Sequence, residues 1–387
     1  MVYYYRPTVA EVSLDALAHN IRAFRANLPP GTRILASVKA NAYGHGAVET
    51  AREAVAAGAD YLGVAFLDEA LQLRRAQIRA PILVLGYTPA AGLAAAREHD
   101  ITVTVWRHDI LDAAANLPEN GKKLKVHIKI DTGMGRIGVL PGPEAESLLE
   151  KAFRLPQLEV EGLYTHYARA DEKDKSYTDM QITRFAGVVE YVRKSGMPIP
   201  IIHQGNSAAG IDLPRHVGGM LRLGIGMYGL YPSEEVNRLA VKLEPVMTLK
   251  TEIVHVKRLG PGEGISYGTR YFTKAAETIA TLPVGYADGF SRMLSGKAEV
   301  LIRGRRYPVV GTICMDQCMV RLEDDALEPG EEVVLIGRQG DEVITAEEVA
   351  AKLGTINYEV TCMVAARVPR VYRKGGKVVA VTNMLSE

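Results

Sequence analysis

Eight short apolar runs, separated by stretches of helical periodicity, constrain this chain more than anything else in it. The runs occupy residues 34–38, 61–65, 82–85, 101–105, 126–130, 160–166, 199–203 and 221–227. Each has the length and the apolar, β-branched character of a buried strand. Helical spacing fills most of the intervals. Residues 14–28 form one such stretch with Ser13 placed as its N-cap, and 46–57 is Ala-rich and stops at Gly58. Residues 67–78, 90–99, 143–153 and 178–195 follow, with Pro143 where a first-turn proline belongs. Strands that are apolar throughout and alternate with helices indicate a parallel sheet covered by helices. Eight of them fit a closed (β/α)8 TIM-like barrel; a doubly wound open sheet satisfies the same periodicity. Either fold gathers its chemistry at the C-terminal ends of the strands. Lys39, Asp131, His166, His203 and Arg222 all end or follow an apolar run, so a barrel would bring them to one mouth.

Beyond about residue 233 the texture changes. Segments 250–259, 278–284, 299–302, 307–313, 319–322 and 332–336 are short, β-rich and separated by Gly, Pro and Asp turns. One helix interrupts them, opened by the capping box Thr345-Ala-Glu-Glu348 and closed near Gly354. The predicted organisation is a barrel over 12–240 and a mostly β domain over 241–387, with residues 1–11 adding a strand to the second.

Composition excludes several classes. The net charge is +1 and the basic residues are scattered, so nothing favours nucleic acid or an anionic membrane surface. No apolar stretch reaches the length of a membrane span, and the N-terminus lacks the apolar core of a secretory signal. Three cysteines are too few and too odd in number for a disulfide framework. The expected compartment is the cytoplasm. Cys314-Met-Asp-Gln-Cys318 offers half a zinc site with no second pair, and no histidine spacing suggests a metal; none is expected.

The chemistry concentrates in Val38-Lys39-Ala40-Asn41-Ala42-Tyr43-Gly44-His45-Gly46. A lysine at the mouth of a buried strand either marks the strand's exit into water or is desolvated by its apolar neighbours, which would lower its pKa and free its amine as a nucleophile. That is what attachment of an aldehyde cofactor requires. Gly133-Met-Gly135-Arg-Ile-Gly138 and Gly224-Ile-Gly226-Met-Tyr-Gly229 match the dinucleotide fingerprint, but prolines follow both and neither opens a helix, so a Rossmann site is rejected. Gly224 and Ile225 remain candidates for binding phosphate through bare backbone N–H groups. Ser207 either caps a short helix or offers its hydroxyl to an anion. Tyr43 and Tyr358 are either half-buried packing residues or phosphate hydrogen-bond donors.

The nine-residue lysine motif resembles the pyridoxal-phosphate attachment site of the alanine racemases. Asp131-Thr-Gly-Met-Gly-Arg136, Gly162-Leu-Tyr-Thr-His166, Asn206-Ser-Ala-Ala, Arg222-Leu-Gly-Ile-Gly-Met-Tyr-Gly229, Ser266-Tyr-Gly268, Gly285-Tyr-Ala-Asp-Gly289, Cys314-Met-Asp-Gln-Cys318 and Ile356-Asn-Tyr358 are similar to that family in the same order. The resemblance implies pyridoxal 5'-phosphate on Lys39 and interconversion of L- and D-alanine by two bases, with Lys39 serving the D face and Tyr267 the L face. A free tyrosine has a pKa of about 10, so Tyr267 needs help, and His166 backed by Arg222 is the family's arrangement. It also implies Tyr43, Arg136, His166, Ser207, Arg222, Gly224, Ile225 and Tyr358 as cofactor-binding residues. Arg136 and the backbone of Met315 would meet the substrate carboxylate, Asp171 and Tyr286 would line a narrow entrance, and Lys129 matches a position carbamylated in some members. Arg222 matches the partner of the pyridine nitrogen. A guanidinium cannot accept a proton, so that nitrogen would stay unprotonated and reprotonation at Cα would be favoured over transamination. A homodimer with shared sites, and D-alanine supply for peptidoglycan, complete what the resemblance implies. The competing readings are a broader-specificity racemase acting on serine, a pyridoxal-phosphate decarboxylase on a similar scaffold, and a barrel-only cofactor carrier, which would lack the β domain.

Overall fold

The computed structural model describes residues 4–119, 121–323 and 326–386. Residues 1–3 of the N-terminal segment expected to add a strand lie outside them. The chain divides into two compact units. One comprises Leu17–Ala42 and Thr50–Glu244; the other comprises Met1–Ala16, Tyr43–Glu49 and Pro245–Glu387.

The first unit is the barrel. Strands Arg33–Ser37, Tyr61–Val64, Ile82–Val84, Ile101–Val105, Leu124–Lys129, Leu158–Tyr164 and Ile201–His203 lie side by side in chain order, and Met220–Leu223 returns to pair with the first; every ladder is parallel. The last gap is bridged by Gly219 N–H to Ile202 O at 2.7 Å and Arg222 N–H to Gly205 O at 3.1 Å. The eighth run is shorter than expected. Its strand stops at Leu223, because Gly224 adopts φ −104°, ψ −110° and turns the chain into a 3₁₀ segment, Ile225–Tyr228. Asn20 anchors that segment from a buried helix position, donating to Met227 O and Glu244 O. Leu35, Tyr61, Leu83, Ile201 and Met220 form one apolar layer inside the barrel. The helices follow the sequence signals: Ser13 Oγ accepts from Ala16 N–H, Pro143 opens Pro143–Arg154, and Gly58 ends its helix at φ +103°. Two helices, His108–Ala115 here and Asn357–Cys362 in the second unit, go beyond the expected ones.

The second unit is built on an eleven-stranded sheet. Neighbours run antiparallel, except that Val9–Ser13, antiparallel to Met247–Glu252, is parallel to Arg370–Lys374. The expected strand 250–259 is two strands. Met247–Glu252 pairs with Glu332–Gln339, whereas His255–Leu259 pairs with Glu277–Leu282, so the run breaks between them to serve two neighbours. Thr345 Oγ1 caps Ala346–Leu353 by accepting from Glu348 N–H. The reciprocal half of the expected capping box does not form, because the Glu348 carboxylate is engaged by Arg306 and Lys352.

Segment Tyr43–Glu49 belongs to this second unit because glycine lets it approach closely. A Cβ on Gly44 would lie 2.1 Å from Thr361 O, and one on Gly46 would lie 1.8 Å from the Tyr372 hydroxyl. Arg370 Nε donates to Gly44 O at 3.0 Å.

Candidate active site

Lys39 stands two residues beyond the strand Arg33–Ser37, after the buried Val38, and is half-buried. The residues after it take an unusual course: Ala40, Asn41, Ala42 and Tyr43 have φ between 51° and 54°. This is a left-handed helical turn, in which each Cβ crowds the following carbonyl. At about 1–2 kcal/mol per residue, four such residues cost about 4–8 kcal/mol. Hydrogen bonds hold the turn. Ala42 N–H reaches Val38 O at 2.9 Å, and Ala40 N–H meets the Glu69 carboxylate at 2.7 Å. Tyr228, fully buried, donates to Ser37 O at 2.8 Å, two residues before Lys39. Left-handed backbone held by its surroundings immediately after Lys39 makes that lysine a candidate functional group.

Within the barrel unit, Arg222 organises the remaining groups. It is 5% exposed. Its Nη1 donates to His203 Nδ1 at 2.9 Å, and its Nη2 lies 2.8–2.9 Å from Thr165 O, His166 Nδ1 and Gln204 O. All these acceptors are neutral. No carboxylate is bonded to the guanidinium and Nε has no partner among the described residues, so one donor is left to offer. Burial lowers Arg222 to about 10, which keeps it a cation at neutral pH. Burial, then Arg222, Lys129, Arg136 and Lys39, push His166 well below its ordinary value. His166 is therefore a neutral imidazole. Its Nδ1 accepts from Arg222, so its proton is on Nε2, available to an acceptor.

Lys129 is 3% exposed, and its Nζ has no hydrogen-bond partner among the described residues. It stands 4.5 Å from the Tyr164 ring centroid, and Arg222 Cζ is 5.1 Å from the same ring. Burial, with Arg222 and Arg136 nearby, drives its pKa well below the lysine range. An unpaired ammonium is too costly to bury, so this amine is neutral and nucleophilic. Arg136 itself is exposed.

Asparagine takes the capping role considered for Ser207. Asn206 Oδ1 accepts from Ala209 N–H at 3.0 Å, and Ser207 is the first helical residue. Ser207 Oγ instead accepts from Gly224 N–H at 2.9 Å and Gly226 N–H at 3.3 Å. With both lone pairs used, its hydroxyl proton is free to be donated. Gly224 N–H is thus not bare as expected, whereas Ile225 N–H makes no hydrogen bond among the described residues. Asp131 does not aim at the mouth: one carboxylate oxygen accepts from the N–H groups of Gly133, Met134 and Gly135 and shapes the loop that carries Arg136. Asp171 lies in a loop where its backbone carbonyl accepts from Ser233, and burial raises its carboxyl pKa.

The second unit holds a different group of candidates. Tyr267 sits at the tip of a hairpin formed by Gly264–Ile265 and Tyr271–Phe272 and is 76% exposed. Ser266, Gly268 and Thr269 around it all have positive φ. Ser266 Oγ donates to Thr312 O at 2.6 Å, and Thr312 Oγ1 donates to Tyr267 O at 2.9 Å. Tyr286 N–H and Ala287 N–H then bond to Cys314 O and Met315 O. Tyr267, Met315 and Tyr286, all exposed, therefore share one backbone scaffold. Tyr43 and Tyr358 face one another with ring centroids 6.2 Å apart.

Sequence reasoning did not identify His127, Glu161 or Tyr164, which line the barrel interior. The signal was there in Leu124–Lys129, where His127 and Lys129 recur with period two in a strand buried on both faces.

The chain matches the family model for the alanine racemase N-terminal domain over residues 12–232 and that for the alanine racemase C-terminal domain over residues 246–372. It is 47% identical to the alanine racemase of Halalkalibacterium halodurans over the full length of both chains. It is also 47% identical to that of Methanococcus maripaludis, over 95% of this chain and 98% of the relative. A crystal structure of alanine racemase from Bacillus anthracis with bound L-Ala-P superposes with a TM-score of 0.95 at 45% identity, covering 99% of each chain.

Proposed function

The chain belongs to the alanine racemase family, and from that premise we propose how its residues carry the reaction, with pyridoxal 5'-phosphate held by Lys39. The protein is an isomerase that interconverts L-alanine and D-alanine. When bound, the cofactor supplies an electron sink that makes the Cα–H of an attached amine acidic. The observation that carries the reading is the setting of Arg222: a buried guanidinium, held by neutral acceptors alone, with Nε still to be donated. A pyridine nitrogen is an acceptor that fits this donor, and a guanidinium does not protonate it.

The other residues take these parts. Ser207, through its free hydroxyl proton, and Ile225, through its N–H, bind phosphate, with Tyr43 and Tyr358 as further donors. Gly224 serves indirectly by orienting Ser207. Lys39 removes or returns the proton on one face of Cα and Tyr267 does so on the other. His166 is a neutral Nε2–H donor, so the help it can give a tyrosine base is a hydrogen bond rather than a cation. Arg136 and the Met315 backbone hold the substrate carboxylate, while Asp171 and Tyr286 narrow the entrance. Lys129, neutral and without a hydrogen-bond partner among the described residues, is the kind of amine that adds carbon dioxide. The product, an anionic carbamate formed with release of a proton, would hold Arg136. Intact mass measured under non-acidic conditions would reveal it, and a mass without the extra carbon dioxide argues against it.

Because Tyr267 is so exposed within its own unit, a second copy of the chain is proposed as the partner that completes each site. The product, D-alanine, would supply peptidoglycan synthesis in the cytoplasm. The test is purified protein with L-alanine in heavy water, with L-serine alongside. Deuterated D-alanine should appear and be lost in Lys39→Ala. Inversion of serine alone would move the substrate, and no exchange in either would reject the reading.

A further inference from the structure

The barrel interior contains a chain of polar groups that the scheme above does not use. Arg222 Nη1 meets His203 Nδ1 at 2.9 Å, His203 Nε2 meets His127 Nδ1 at 2.9 Å, and His127 Nε2 meets Glu161 Oε2 at 3.2 Å. Both imidazoles are fully buried and Glu161 is 9% exposed. The Tyr61 hydroxyl reaches Glu161 Oε1 at 3.1 Å, and the Thr102 hydroxyl reaches Oε2 at 3.2 Å. The fold makes room for this chain. A register shift between Val126 and His127 turns the strand, and Gly162 lets the ring lie against bare backbone, where a Cβ would sit 2.4 Å from His127 Nδ1. Tyr164 stacks on His203 with centroids 4.6 Å apart and planes 7° from parallel.

The direction of every bond is forced. Arginine has no acceptor, so His203 Nδ1 must accept and His203 carries its proton on Nε2. That proton goes to His127 Nδ1, which leaves the His127 proton on Nε2, and that one needs an acceptor. Glu161 provides it. Burial opposes ionisation of Glu161, but the hydrogen bonds from His127 and Tyr61 outweigh it and hold the carboxyl below its ordinary range. The guanidinium thus has its nearest bonded counter-charge two imidazoles away. A carboxylate bonded directly to Arg222 would compete for its N–H groups and offset its field. An imidazole chain fixes its orientation and leaves that field at the mouth.

We propose that Glu161 is a positioning residue for Arg222, acting through His127 and His203 to fix the tautomer of each ring and so the acceptor that orients the guanidinium. The proposal rests on the reading of Arg222 as the partner of the cofactor's ring nitrogen. Without a compulsory acceptor at its far end, His127 can reverse. His203 must then abandon either His127 or Arg222, because a neutral ring has one proton. Arg222 would be held less firmly, and more of the turnover would end in transamination, which moves the amino group of alanine to the cofactor and releases pyruvate.

The experiment compares the full-length holoenzyme with Glu161→Gln, both labelled with ¹⁵N-histidine. In the unaltered protein, Nδ1 of His127 and His203 should be bare and Nε2 protonated. In Glu161→Gln, whose amide can donate as well as accept, both rings should show mixed tautomers. Pyruvate released per racemisation should rise about tenfold, the worth of one lost hydrogen bond. His127→Phe, which cuts the chain one link nearer Arg222, should give the same rise if Glu161→Gln does not fold. A protonated Nδ1 on either ring of the unaltered protein overturns the proposal, as does an unchanged pyruvate fraction in whichever variant folds. Unaltered protein that neither binds the cofactor nor racemises alanine rejects the reading of the site as well, and that outcome is visible apart from the nitrogen pattern.

Discussion

The barrel interior and the Tyr267 hairpin treat their functional groups in opposite ways. Arg222 is buried, and four acceptors fix its orientation. Tyr267 stands among residues of positive φ, with its backbone secured and its side chain in solvent. Burial sets the protonation of the first group: His166 and His203 are neutral and Arg222 stays charged because desolvation and hydrogen bonds decide the matter. The hairpin sets only position. Whatever tunes the Tyr267 oxygen must be brought to it. One group is prepared in advance by its own surroundings, and the other is only presented.

The largest effect that tests this contrast is Lys39→Ala. Alanine racemisation should fall by at least about 10⁴-fold, since nucleophile and base are lost together, and the absorbance of bound cofactor should change with it. Tyr267→Phe should slow exchange about 10²–10⁴-fold, with the deficit on one face. Its melting temperature should match that of the unaltered protein, because an exposed hydroxyl contributes little to folding. A substantial loss of stability would show that the hairpin is not merely presented. Arg222→Leu should do the reverse in stability: stranding His203 and His166 acceptors in the interior costs about 3 kcal/mol, readable by urea unfolding.

Acid sharpens the comparison further. His127, His166 and His203 all have folded pKa values depressed by burial. Their contribution is fully present above the unfolded histidine value of about 6.5 and is lost as pH falls below it toward the folded values. Each group adds a slope of about 1.4 kcal/mol per pH unit. Unfolding free energy measured between pH 7 and pH 5 should therefore decline steeply, and a flat profile would mean that the rings are charged. The smallest effect is expected at Ala40, which is exposed with φ 52°. Ala40→Gly should stabilise the chain by about 0.5–1 kcal/mol, since relief of the left-handed clash exceeds the entropy of glycine.

Much of this was legible in the sequence. The eight runs became eight parallel strands, and Ser13, Pro143, Thr345 and Gly354 mark helix ends because caps are local chemistry. What was not legible depends on distant partners. The run 221–227 reads as strand until Gly224 bends it toward Ser207. Segment 250–259 reads as one strand because its two sheet neighbours are decided some 20–80 residues away. Glu161 and His127 look like interruptions in apolar strands, and their connection exists only across the barrel. At the candidate site, Lys39 announces itself by position. The conformation that follows it does not, since in Ala-Asn-Ala-Tyr only Asn41 readily tolerates left-handed backbone and the alanines and tyrosine do not.

That left-handed turn also carries a consequence for the order of events during synthesis. A penalty of about 4–8 kcal/mol makes the turn rare in an isolated segment, on the order of 10⁻³ to 10⁻⁶ of conformers. Its last residue, Tyr43, begins the segment that packs on Thr361, Arg370 and Tyr372. Arg370 is 326 residues downstream of Gly44, which at 5–20 residues per second is about 16–65 s of translation. Lys39 is thus made long before the segment that continues from it can find its partners. A truncated chain would carry the lysine without the backbone that presents it.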